Sequence, residues 1–535
     1  MKIAEFLLQT LECCGVRAIF GNPGTTEIPL VRMCEGRERL RYVVALSEVA
    51  AVPMADGYAR AARSLGAVNL HVAPGLGNGM GALYTAGIAK TPLLVLIGGQ
   101  DRRLLHTSPI LYGPLEAMAG SVCKTVIRLD SMHDAAANVR NAIRAALTPP
   151  FRPVALICPP DLLEEETDAT PTAVSPPRLC GLDDAAAVQI AGLIAQSRNP
   201  ALIAAEDVHW HGAETELRAL AESLDAPVYV APYTGVLPVD ASSRAYGGYL
   251  SPGFGGISDR LAAHDLLLFI GGRTLRTTLH SELRLAQVKC WLGDDPSVLP
   301  LAGEFHAAHL VDLRQALASV RLALTRQRSR SPADPRHWRP AIELPPAGAG
   351  FHPTLAITAL LEAFPDAIVV DEAGLSTSDI RQWMHCNAGE YIINGSGGIG
   401  WGLAASVGAA IALPERQVVC VVGDGSSLYA SESLWTAANR ETRLLSVVLS
   451  NRRYATLNQA AAKLTGHDLD LFSIEPPVID FSGLARLYGL EFVRARTQDE
   501  LAAALHGLRG GLRRNTLLEL VFGNELSPVT ASRHF

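Results

Sequence analysis

The run Val418–Tyr454, VVCVVGDGSSLYASESLWTAANRETRLLSVVLSNRRY, decides how this chain is read. An apolar segment stops at Gly423, Asp424 and Gly425. Ser426 and Ser427 follow, then a stretch with a helical pattern from about Leu428 to Asn439, then a second apolar segment that ends at Asn451. Continuous apolar runs separated by helical patterns mark strands of a parallel sheet covered on both faces. In such sheets ligands sit at the carboxyl ends of strands, beside helix N-termini. The stretch therefore predicts Asp424 and Asn451 at one sheet edge, with free N–H groups around Gly425, Ser426 and Ser427. Those N–H groups suit a phosphate, but the Asp424 carboxylate repels one unless a divalent cation lies between them. Mg²⁺ takes oxygen ligands, and Asp424, the Asn451 side chain and one backbone carbonyl beyond it can supply them. A Gly-Asp-Gly turn alone is a common turn. The strand before it, the helix after it and a second strand ending in Asn favour a metal–diphosphate site.

The same alternation recurs along the whole chain. VRAIFG, RYVVAL, AVNLHVA, PLLVLIGG and PVALICPP lie in the first third. ALIAAED, APVYVAP, DLLLFIGG and KCWLGDDP lie in the middle. AIVVDEAG, RQVVCVVGDG, LLSVVLSN and TLLELVFG lie in the last. Two Pro-rich, polar stretches without periodicity, Glu164–Leu179 and about Arg326–Gly350, read as linkers. The expected fold is α/β, with three doubly wound parallel-sheet domains over residues 1–165, 180–325 and 350–535.

Composition narrows the partners. The 535 residues carry a net charge of -7, with 48% hydrophobic and 19% charged residues, the balance of a globular protein with large cores. That charge argues against nucleic acid or an anionic membrane surface, both of which want a basic face. No apolar run is long enough to span a bilayer. The N-terminal stretch reads as an amphipathic helix interrupted by Glu5 and Glu12, without a secretory leader's apolar core. Nine cysteines without a C-x-x-C pair suggest neither a disulfide framework nor a zinc site, so a cytoplasmic location is expected.

With these residues assembled, the sequence resembles the thiamine-diphosphate (ThDP) dependent enzymes, whose motif is GDG followed at a distance by Asn. Five stretches carry the likeness in order: FGNPGTTE (Phe20 to Glu27), ALSEVAAVPMADGYAR (Ala45 to Arg60), NLHVAPGLGNGMGAL (Asn69 to Leu83), GGIGWGLAASVGAAIALPERQVVCVVGDGSS (Gly397 to Ser427) and SLWTAA (Ser433 to Ala438). Within that family the benzoylformate decarboxylases are the most similar group. The resemblance implies a pyrimidine-binding, a central and a diphosphate-binding domain. It also implies active sites between subunits of a homo-oligomer, usually a tetramer. Asp424 and the Asn451 side chain would hold Mg²⁺, with the carbonyl of Arg453 as a third ligand. Gly374, Leu375, Gly398, Gly423, Gly425, Ser426, Ser427 and Tyr454 would be further cofactor contacts.

The resemblance also implies roles in chemistry. Glu48 aligns with the cofactor-activating glutamate: its carboxyl favours the imino form of the aminopyrimidine, which deprotonates the thiazolium to an ylid. Taken bare, a Glu before an apolar helix is more often a helix-entry residue. Ile399 aligns with the bulky residue that props ThDP in a bent shape. His71, after AVNLHV, matches a catalytic histidine able to move protons near neutral pH, and acetolactate synthases generally lack it. Thr25 takes the place of a serine that meets the substrate carboxylate, and Thr26 can share that role. A second histidine is matched by His280 if a two-residue insertion is allowed; ungapped counting lands on Thr278.

Three departures bear on the substrate. Ile393 and Ala460 stand where benzoylformate decarboxylases carry phenylalanines, which removes aromatic stacking worth ~1 kcal/mol per pair. Arg452 and Arg453 replace a small polar turn, and either is tolerated beside a diphosphate or attracts an acidic substrate. The Glu expected past the Asn in pyruvate decarboxylases is absent from YATLNQ. The reading is therefore a ThDP- and Mg²⁺-dependent decarboxylase of an aromatic or bulky 2-oxo acid, releasing an aldehyde through an enamine. An acetolactate-synthase-type carboligase is the alternative, and a non-catalytic ThDP-binding subunit a remote one. GGRTLR after DLLLFI could hold a phosphate, but no full dinucleotide fingerprint is present.

Overall fold

The described residues form three six-stranded sheets, and every strand pair within them is parallel. The computed structural model describes residues 1–272, 275, 277, 282–297, 304–327, 338–339, 342–346 and 350–523, so Thr278 and His280 lie outside the described residues. The first sheet runs, in spatial order, Arg41–Val44, Ala18–Gly21, Gly66–Leu70, Leu93–Gly98, Val154–Cys158, Thr125–Arg128. The third runs Tyr391–Ile393, Ile368–Glu372, Val418–Gly423, Leu444–Ser450, Thr516–Val521, Glu491–Ala495. Numbered within each unit, both follow the order 2-1-3-4-6-5. The apolar runs become strands because both sheet faces are covered by helices, and most positions in them are fully buried.

The first and third units meet through equivalent helices. In each, the helix between the second and third strands lies in the contact: Glu48–Ala62 and Gly402–Ala412. Both are rich in Ala and Gly, so the backbones approach closely. A methyl group added at Gly57 would stand 2.1 Å from the Ala405 carbonyl oxygen, and one at Gly408 would stand 1.9 Å from that of Met54. One apolar core runs through both units across this contact. Beside it, buried Arg60 makes two hydrogen bonds to Asp56, at 2.7 and 2.5 Å, and stacks over Trp401 at 4.6 Å. Its third nitrogen donates to the Ile393 carbonyl at 2.9 Å, while the Trp401 indole donates to Asp56 at 2.8 Å. A buried ion pair is tolerable when its remaining donors and acceptors are satisfied in this way.

The central sheet has a different order: Ala307–Leu310, Val288–Gly293, Leu266–Ile270, Pro200–Ala204, Val228–Val230, Tyr246–Tyr249. Counted within the unit this is 6-5-4-1-2-3, the doubly wound order that takes dinucleotides where it reverses, between strands 1 and 4. Here Lys90 of the first unit enters that crevice. Its ammonium pairs with Asp207, after strand 1, and lies 2.7 Å from Asp294, after strand 5. Asp207 also accepts from the Gly272 N–H at 2.6 Å, just after strand 4. Burial opposes the Lys90 charge, but the two carboxylates outweigh it and hold its pKa above the ordinary lysine range. His211 bridges Asp294 and Asp312, which push its pKa up to about 9 against the effect of burial.

One sequence expectation is corrected. The helix expected from about Leu428 to Asn439 begins only at Ser433 and runs to Asn439; a short turn of helix, Asp424–Ser427, precedes it and residues 428–432 form a turn. The Ser427 hydroxyl donates to the Asp424 carbonyl at 2.7 Å, offering it a partner other than the next helical turn. No helix among the described residues is long and apolar enough to cross a membrane.

Candidate active site

The side chains singled out in the sequence fall into two groups, one at the carboxyl edge of each equivalent sheet. The first group follows strands Ala18–Gly21, Arg41–Val44 and Gly66–Leu70. Glu48 opens its helix, capped by Ser47, and is 6% exposed. Its carboxylate accepts from the Asn78 amide at 3.1 Å. Gly75 separates Glu48 from His71: a methyl group at Gly75 would stand 2.7 Å from the one and 3.3 Å from the other. His71 therefore lies in the same recess as Glu48, at the start of helix Val72–Ile88.

A residue to which the sequence assigned no role completes this group. Glu27 is 2% exposed and holds His71 Nδ1 at 2.7 Å. It also accepts from the Gly24 N–H at 2.8 Å and the Thr26 hydroxyl at 2.6 Å. An ionised carboxylate only accepts, so the proton on this pair sits on Nδ1, and Nε2 is left for other work. Thr26 lies 3.3 Å from the same ring nitrogen, whereas Thr25 is exposed at the start of the turn. Of the two threonines the structure thus ties Thr26 to the histidine.

The second group follows strands Ile368–Glu372, Tyr391–Ile393, Val418–Gly423 and Leu444–Ser450. Asp424 is 4% exposed. One of its oxygens accepts from Gly425 N at 2.8 Å; the other accepts from Asn451 N at 3.0 Å and Arg452 N at 2.6 Å. Burial raises its pKa, and these N–H bonds oppose that rise. The Asn451 side-chain oxygen accepts from Arg453 N at 3.2 Å. Tyr454 covers Gly425 so closely that a methyl group there would stand 2.5 Å from its ring. Gly374 opens the turn Gly374–Ser376, which includes Leu375, and a methyl group at Gly374 would stand 3.3 Å from Thr456. Asp424 offers a single carboxylate, and Asn451, whose N–H it holds, carries an amide oxygen. Those oxygens suit a hard ion that keeps waters and phosphate oxygens as its other ligands, as Mg²⁺ does.

The two arginines and the two aryl-pocket positions now have surroundings. Arg452 adopts φ +63, a left-handed conformation that normally favours Gly, and its guanidinium lies 3.3 Å from Glu475. A cavity of about 100 Å³ beside Asp424 is lined by Arg452, Arg494 and Arg496 but also by Glu475 and Glu519, so its charges are largely matched. Ile393 is buried in the core, with its carbonyl bound to Arg60, and does not face open space. Ala460 lies on helix Ala455–Thr465 and is partly exposed. Ile399 is 44% exposed at the edge of its loop.

Comparison with known proteins gives matching results for all three units. Residues 1–119 match the N-terminal TPP-binding domain of thiamine pyrophosphate enzymes, residues 188–290 the central domain, and residues 372–518 the C-terminal TPP-binding domain. A benzoylformate decarboxylase of Pseudomonas aeruginosa is 32% identical over 92% of this chain and 93% of its own. A putative acetolactate synthase large subunit of Mycobacterium tuberculosis is 29% identical over 94% of this chain and 96% of its own. The crystal structure of benzoylformate decarboxylase from Polynucleobacter necessarius superposes with a TM-score of 0.90 at 26% identity, covering 98% of this chain and 99% of that one.

Proposed function

Because this chain belongs to the thiamine pyrophosphate enzyme family, we propose that it removes CO₂ from an aromatic or bulky 2-oxo acid and releases the aldehyde. The observation that carries this reading is the Glu27–His71 pair in the recess of Glu48. When bound, ThDP supplies the carbon nucleophile and the electron sink for decarboxylation. Asp424, the Asn451 side chain and the Arg453 carbonyl would hold Mg²⁺, and the N–H groups of the Asp424–Ser427 turn would meet the diphosphate. Ile399, flanked by Gly398 and Gly400, would press against the middle of the cofactor. Glu48 would hold the pyrimidine ring, with Asn78 fixing the carboxylate.

His71 then has a defined task. Its Nδ1–H is engaged by Glu27, so Nε2 would give a proton to the carbon that becomes the aldehyde and recover one as product leaves. Thr25, exposed beside Thr26, would offer its hydroxyl to the substrate carboxylate, while the Thr26 hydroxyl gives its proton to Glu27. The likeness to an acetolactate synthase supports a second reading, in which a second carbonyl compound intercepts the same species and an acyloin forms. The partly exposed Ala460, in place of a large aromatic, leaves room for it.

The active unit is proposed to be a homo-oligomer. Exposed apolar side chains border both half-sites: Leu46, Val49 and Tyr84 on the first unit, Ile399, Tyr429 and Leu457 on the third. A second copy would cover them and bring one chain's Glu48 to another's Asp424. To test the reaction, the protein is incubated with ThDP, Mg²⁺ and a panel of 2-oxo acids while CO₂, aldehyde and acyloin are followed. Aldehyde released in step with CO₂ from an aryl or bulky 2-oxo acid is the expected result. Acyloin outrunning aldehyde would favour the second reading. ThDP binding without CO₂ from any acid would reject the decarboxylase.

A further inference from the structure

The loop that carries Ile399 is clamped at two points. Upstream, Asn394 accepts from Ser396 N at 2.9 Å, and its amide donates to the Gly398 carbonyl. Downstream, Glu372 accepts from Gly400 N at 2.6 Å with one oxygen and from Gly402 N with the other. Gly400 has φ +91, which lets its N–H turn back toward the strand that ends in Glu372. Ile399 thus stands between a held carbonyl and a held N–H, yet its side chain is 44% exposed.

Glu372 is an expensive choice if stability were its only purpose. It is 9% exposed, and the hydrogen bonds it accepts come from backbone N–H groups at the start of helix Gly402–Ala412. Burial pushes its pKa up to about 7, while the N–H groups of Gly402, Gly400 and Trp401 oppose the rise. Taking a carboxylate out of water without a cation beside it costs stability, and the N–H bonds offset that cost only in part.

We propose that Glu372 is a positioning residue: by binding two N–H groups on the far side of Ile399 it fixes that side chain at the depth the bent cofactor requires. This rests on the reading of Ile399 as the cofactor's prop. Glu372 touches neither substrate nor cofactor; it acts through the loop. Glutamine is its closest isostere, but it offers one acceptor oxygen, and its NH₂ would face the second N–H donor.

The test is E372Q beside Ile399→Ala, each measured for ThDP affinity by tryptophan fluorescence, for apoprotein melting temperature and for turnover. In E372Q, ThDP affinity is expected to fall about tenfold or more, as when a residue supporting a ligand's contact is lost. Removal of the buried charge and loss of one N–H bond act in opposite directions on the apoprotein, so its melting temperature should stay close to the wild-type value. Wild-type ThDP affinity and turnover in E372Q, with Ile399→Ala impaired, would overturn the proposal alone. A lowered apoprotein melting temperature in step with affinity would also overturn it, showing a structural role. Unchanged binding and turnover in Ile399→Ala would remove the prop reading and the proposal together.

Discussion

Replacing His71 by Ala is expected to slow aldehyde release by about 10²–10⁴-fold, the usual worth of a positioned general acid–base group. ThDP and Mg²⁺ should bind it within about twofold of wild type, because His71 lies on the first unit's half-site and touches none of the metal donors. The expectation follows from geometry. Glu27, buried and also holding Gly24 N and the Thr26 hydroxyl, fixes the ring and takes Nδ1, which leaves Nε2 as the ring's other nitrogen. Glu27→Gln keeps an acceptor on Nδ1 but removes the charge that stabilises the protonated ring. Its turnover should fall between wild type and His71→Ala. Steady-state kinetics with direct aldehyde detection, alongside calorimetric ThDP titration, separates the two quantities. His71→Ala turning over near the wild-type rate would end the assignment.

Asp424→Asn and Glu48→Gln should each abolish most activity, for different reasons, and should rescue one another when mixed. Asn at 424 removes the carboxylate charge from a buried site made for a divalent ion, so ThDP·Mg²⁺ should bind on the order of 10²–10³-fold more weakly. Gln at 48 should still bind cofactor but turn over about 10²–10⁴-fold more slowly. If a working site joins Glu48 of one copy to Asp424 of another, a mixed dimer has one site with both lesions and one with neither. In the purified mixed dimer about half of the sites are then restored. Differently tagged variants, co-expressed and purified through both tags, provide the material. If both groups act within one chain, every site keeps a lesion and nothing returns.

The legible part of this site is the part with a local signature. Asp424, Asn451, Glu48 and His71 each lie at or just after an apolar run, and strands of a parallel sheet deliver such residues to one edge whatever else the chain does. The three sheets follow from the same alternation. Glu27 and Glu372 do not stand out in this way. Glu27 sits in a turn where a carboxylate reads as a helix cap, and only its burial against the Gly98 strand end reveals it as the partner of His71. Glu372 ends the run AIVVDE, and its partners, Gly400 and Gly402, are brought near only by strand pairing. The Ile393 side chain was expected beside the substrate and instead lies in the core, because the third unit packs its short edge strand inward and turns its carbonyl to Arg60. Such long-range pairings leave no periodic trace.

The reciprocal approach of helices Glu48–Ala62 and Gly402–Ala412 has a consequence for mutational coupling. Ala at position 57 alone, or at 408 alone, must push the helices apart to clear a carbonyl oxygen, and overpacking of that kind costs about 1–3 kcal/mol. Once one methyl group has opened the gap, the other enters space already made. The double variant should therefore be more stable than the sum of the single losses predicts, by about 0.5–3 kcal/mol in a double-mutant cycle. Urea melts of the four proteins would read this directly. Simple additivity would mean that the two glycines relieve separate contacts and that each helix yields locally around its own added methyl group.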